Sequence, residues 1–189
     1  RLQNAAAEPQ NWLMALGGYA GYSYSALDEI NRDNVKGLHL AYSRAIGAEK
    51  SNGFVQTAPL VVDGYMSVSN GMSEILKFDV RSGDEARLVL RNDPAAAAGS
   101  QLGGSIALLG DYVYNVTRDM RMLKIDAQTG ETVWDVNLRN PDNVNANELS
   151  SPAPIAIGDT IIMPAAGSAL RPWIPGWAAE PGELKWRWY

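Results

Sequence analysis

The chain offers few residues able to do chemistry on their own. It has a single histidine, His39, and no cysteine. A Ser–His–Asp triad needs an imidazole held between its two partners. His39 instead alternates with leucines in LHLAYS, where it reads as a strand-face histidine without function. Zero cysteines exclude disulfides, thiolate metal ligands and a cysteine nucleophile. Asp79 and Asp126 fall at the same place in two near-repeats, ILKFDVRSG and MLKIDAQTG. A carboxylate that recurs with the repeat points to a strand-end hydrogen bond in each copy rather than to a paired acid and base. GGYAG (17–21) is glycine-rich, but it does not open a helix after a strand, as a dinucleotide-binding turn must. Asn115-Val116-Thr117 matches an N-glycosylation acceptor inside an expected strand, and reads as a chance match. Any site must therefore be assembled by the fold.

Three stretches carry the elements that would assemble it. APLVVDGYMSVSN (58–70), IALLGDYVYNVT (106–117) and APIAIGDTIIMPA (153–165) each place two apolar runs around a Gly/Asp pair. Gly64, Gly110 and Gly158 are 46 and 48 residues apart, and Gly83 and Gly130 are 47 apart. Asp63-Gly64 is a two-residue hairpin signal, since a type I′ turn needs the positive φ that Asp and Gly tolerate, and Gly110-Asp111 and Gly158-Asp159 repeat it in reverse order. LKIDAQTGETVWDVNL reads as strand, turn, strand, with Gly130 left-handed and Trp134 in the outgoing strand. Its partner in the first copy has Leu90 at the tryptophan position. The third copy keeps Gly182 and Trp186 but lacks the aspartate, and Pro172, Pro175 and Pro181 argue for loop or edge over most of its third strand. At the front, residues 37–47 read as an outgoing strand with Tyr42 at the tryptophan position. Residues 25–40 support at most a helical turn or two before a strand.

A self-similar unit of this length, built of short strands, predicts an all-β protein of β-propeller type. The divisions expected are an N-terminal segment with a strand of the closing blade (1–50), blades at 51–98 and 99–145, and a degenerate or partial blade at 146–189. Propellers close with about 4–8 blades. Three blades and a strand therefore imply that the remaining blades come from the same or a partner chain. At 46% hydrophobic and 20% charged, the chain can bury a core. A net charge of −5, with no clustered Lys/Arg, argues against nucleic acid as a partner. No apolar run approaches the roughly 18 residues of a membrane span. The opening RLQNAAAEPQ has no apolar signal core and reads as a mature export product or a cytosolic start.

NWLMALGGYAGYSYSALDEINRDNVKGLHLAYS, followed by QTAPLVVDGYMSVSNG, DAQTGETVWDVNL and GELKWRWY, resembles the N-terminal part of the quinoprotein alcohol dehydrogenases. These are periplasmic enzymes that use pyrroloquinoline quinone (PQQ) on eight tryptophan-docked blades. The resemblance implies that Trp134 and Trp186 pack between blades, as large flat rings with one donor to satisfy. It implies that Gln56 hydrogen-bonds the quinone, that Ser151 lies against it, and that the small residues Ala165, Ala166 and Gly167 bring backbone close to it. An acidic calcium ligand of the family falls at Ser168 or Ala169 here, so Ser168 is the weak metal candidate. The family's cysteine pair is absent, and the arginine that meets a quinone carboxylate is replaced by Leu102-Gly103-Gly104. The catalytic base lies outside this chain. The implied activity is PQQ- and calcium- (or lanthanide-) dependent oxidation of a small alcohol, with electrons passed to a cytochrome c. The alternative is a non-catalytic PQQ-repeat propeller serving as a binding or assembly scaffold.

Overall fold

The computed structural model describes residues 1–47, 55, 57–96, 106–139, 148–149, 153–163, 166–167 and 174–188. The Gly/Asp pairs close hairpins, and each hairpin grows into a four-stranded antiparallel meander. The first sheet comprises β1 (Leu60–Val62), β2 (Tyr65–Ser69), β3 (Ile75–Asp79) and β4 (Arg87–Asn92). The second comprises β5 (Ile106–Leu109), β6 (Tyr112–Val116), β7 (Arg121–Asp126) and β8 (Thr132–Asn137). A two-residue strand, β9 (Glu148–Leu149), precedes the third sheet of β10 (Ile155–Ile157), β11 (Thr160–Ile162), β13 (Ile174–Ala178) and β14 (Leu184–Trp188). Between β11 and β13 lies β12 (Ala166–Gly167), paired with β9. This is a partial β-propeller of three blades.

The turn chemistry follows residue order. Asp63 and Gly64 both have positive φ (52° and 79°). In the reversed pairs, among the described residues, only Gly110 and Gly158 do (60° each), the pattern of a type II′ turn.

One row of cross-strand partners recurs in each sheet: Leu60–Ser67–Lys77–Leu90, then Ala107–Tyr114–Lys124–Trp134, then Ile155–Ile162–Gly176–Trp186. A register shift follows the third member in every sheet, after Lys77, Lys124 and Gly176. The first two rows face the next blade. Lys77 Nζ donates to the Ala127 carbonyl (2.7 Å), and Trp134 Nε1 donates to that of Ala179 (3.3 Å). Leu90, at the tryptophan position, packs over Gly130 in the turn of the second blade. The third row is open to solvent, with Ile155 and Trp186 each more than 40% exposed. The continuous core of buried side chains lies between the blades, with Ile106, Tyr114, Met122, Ile125, Ile161 and Met163 at its centre.

The third blade is more complete than its prolines predict. Its third strand exists, with Pro175 inside it opposite Arg187. Pro175 sits just past the end of β11, where its carbonyl accepts the Met163 N–H (3.3 Å). The missing donor therefore costs at most one bond at a strand end rather than a break in mid-ladder.

Residues 38–47 carry no ladder. They lie along the first sheet, with Tyr42 and Ile46 packed on Val68, Leu76 and Phe78, and with the Ile46 carbonyl held by Asn70 Nδ2 (3.0 Å). Among the described residues no strand edge pairs with them. His39 is exposed, on this segment rather than on a strand, with Nδ1 3.2 Å from the Gly37 carbonyl. The helical turn expected in 25–40 reduces to a 3-10 turn, Val35–Gly37, and a second 3-10 helix spans Leu2–Ala7. Asn115 is wholly buried at the end of β6, its amide donating to the Ser73 carbonyl (2.7 Å).

Candidate functional site

In a meander, the start of the first strand and the turn between the second and third strands share one end of the sheet. Thr57 and Ala58 lead into β1, and Ala153 and Pro154 lead into β10. The turns at 70–74 and 117–120 lie at the same end. That end carries a cavity.

Thr57, Ala58, Ala107, Leu108, Ala153, Pro154, Ile155 and Ala156 line one cavity of about 590 Å³, closed from the other side by Leu13, Leu16, Gly18 and Tyr19 of the N-terminal segment. That segment is tied down at two points. Trp12 exchanges two backbone hydrogen bonds with Val61 (2.8 and 2.9 Å), and Tyr19 Oη donates to the Ala156 carbonyl (2.5 Å). The hydroxyls of Thr57 and Ser69 share a hydrogen bond of 3.1 Å at the cavity's edge.

Gln56, Ser151, Ala165 and Ser168 lie outside the described residues. Val55 and Thr57, which flank Gln56, and Ala153, two residues after Ser151, line the cavity. Ala166 and Gly167 form β12, which pairs antiparallel with β9, Ala166 opposite Leu149 and Gly167 opposite Glu148. This short ladder joins the lead-in of the third blade to its small-residue turn, and it sets an acidic residue in register with Gly167. The sequence did not predict this ladder, since two residues between loops leave no periodicity to read.

A planar quinone with three carboxylates matches this lining only in part. Small residues (Gly18, Ala58, Ala107, Ala153) leave room for a flat ring, and the volume lies within the range of small-molecule sites. The described lining residues are all uncharged, so they match the ring body and not its carboxylates, which call for cationic partners. Among the described residues no group of three or more His, Cys, Asp or Glu could hold a metal ion.

Away from this end, the two repeated aspartates are structural. Asp126 Oδ1 accepts the N–H groups of Gln128 and Thr129 (2.8 Å each), and these hold its carboxyl below the usual carboxylate range. Asp79 is held lower still, first by the Arg81 guanidinium (2.6 and 2.8 Å), then by the Arg81 N–H and by Arg87. The third blade has Ala178 at this position. Burial pushes the Tyr114 phenol up to about 12. The arrangement is part of a propeller, with Trp134 docking the second blade on the third and an apolar cavity at the end of the sheets where β1 and β10 begin.

A family model, glucose/ethanol/alcohol dehydrogenase β-propeller domain of the PQQ type, matches residues 12–189. The chain belongs to that family. It is 33% identical to the quinohemoprotein alcohol dehydrogenase of Comamonas testosteroni over 98% of its own length and 26% of the relative's. It is 24% identical to subunit 1 of the methanol dehydrogenase [cytochrome c] of Paracoccus denitrificans, covering 99% of this chain and 31% of that one. Among solved structures, the quinohemoprotein alcohol dehydrogenase ADHIIG of Pseudomonas putida superposes on the whole chain with a TM-score of 0.87 at 27% identity, over 28% of its own length. The chain thus spans about a quarter of the relatives it matches.

Proposed function

We propose that the chain is the N-terminal part of a periplasmic PQQ-dependent dehydrogenase that oxidises small alcohols and passes the electrons to a cytochrome c. The observation that carries this reading is the family match over residues 12–189. The methanol dehydrogenase relative, whose name includes cytochrome c, supports the choice of acceptor. In this reading Gln56, Ser151 and the backbone of Ala165, Ala166 and Gly167 hold the quinone against the neutral wall of the cavity. Calcium or a lanthanide sits near Ser168. The quinone's carboxylates and the metal take most of their charged partners, and the reaction its base, from blades contributed by the rest of the polypeptide or by a partner chain.

The test is release of bound small molecules by acid denaturation of native protein, followed by mass spectrometry. Stoichiometric PQQ is the expected result. None, even after incubation with PQQ and calcium, would overturn the enzyme reading and leave a repeat propeller that acts as a scaffold.

A further inference from the structure

Lys77 and Lys124 occupy the same place in successive blades, and each reaches out of its own sheet. Lys77 Nζ donates to a backbone carbonyl, Ala127 O, which does not titrate. Lys124 is buried, 2% exposed, and pairs with the carboxylate of Glu180 in the turn between β13 and β14. Its ammonium also lies 3.6 Å from the centroid of the Tyr112 ring.

Among the described residues, the polar and charged groups that neighbour Lys124 across this interface have other partners. Tyr114 and Trp134, the cross-strand neighbours of Lys124, both donate to the Ala179 carbonyl. Asp126 accepts from its own turn, and Asp159 takes Lys185 of the third sheet (2.8 Å). Glu180 is therefore the carboxylate that balances Lys124. The Glu180 side chain is 64% exposed, so the charge stranded by its neutralisation is the buried Lys124 ammonium, whereas removing both charges leaves nothing buried and unpaired.

We propose that Lys124 and Glu180 form a charge-dependent latch between the second and third blades, released when Glu180 is neutralised, while the Lys77 contact between the first and second blades holds. Hydrogen exchange read by mass spectrometry on the intact protein at neutral pH tests this with Glu180→Gln and with the double variant Lys124→Met/Glu180→Gln. In Glu180→Gln, exchange in β13 and β14 rises by about tenfold, while β2–β4 stay unchanged. The double variant returns toward the parent, because methionine keeps the apolar stem without the charge. Unchanged exchange in Glu180→Gln, an equal rise in all three blades, or a rise that persists in the double variant overturns the latch. Should Glu180→Gln not fold, the parent protein under mild acid, corrected for intrinsic exchange, must show the same selective rise in β13 and β14. A uniform change there overturns it.

Discussion

Asp126 spends its carboxylate on two N–H groups of its own turn, and the pH dependence of the fold carries that mark. Its folded-state pKa is lowered, so the stability it contributes is fully present above the unfolded value near 3.9 and is lost as pH falls toward the folded value. Asp126→Asn is expected to flatten the acid limb of a plot of urea midpoint against pH. Tyr114 acts at the other extreme. Its phenol is raised to about 12, so its contribution is complete below the usual value of about 10 and disappears as pH climbs through the folded value. Tyr114→Phe removes that alkaline loss, measurable in the same denaturation series. The structural role of the aspartates was legible from the repeat, because a residue that returns with the blade serves the blade. The cofactor candidates Gln56 and Ser151 came from resemblance alone, since a hydrogen-bonding side chain in a loop has no spacing that sets it apart from its neighbours.

At the scale of strands and sheets, the first two blades were readable because both keep Lys, an apolar residue and Asp before a turn glycine. The third has Gly176, Trp177 and Ala178 in those places, with Pro175 ahead of them, which erases the pattern while leaving the strand intact. Gly176 has its own reason. A Cβ there would overlap the indole of Trp186, which lies flat on it across the ladder. Gly176→Ala is expected to cost about 1–3 kcal/mol by overpacking, read from chemical denaturation. Trp134→Phe keeps an aromatic ring but removes the donor to Ala179 and part of the indole's packing, and is expected to cost about 1–3 kcal/mol in the same assay.

For the molecule as a whole, each sheet but the last has its outward row covered by the next. The uncovered row carries Ile155 and Trp186, with Trp188 exposed nearby, and apolar surface of this kind associates in water. The 189-residue chain expressed alone is expected to self-associate in light scattering, and Trp186→Ser/Trp188→Ser to reduce it. Burial of the other interfaces has a reach beyond stability. Asn115 is sealed between the first and second blades together with Thr117, so the Asn-Val-Thr acceptor exists only on a chain that has not yet folded. In a secretory host that attaches sugar during translocation, transfer at Asn115 races against closure of the second blade. The glycan-bearing fraction then acts as a stopwatch, counting chains that were still open when the transferase reached them, and each chain so marked is barred from closing.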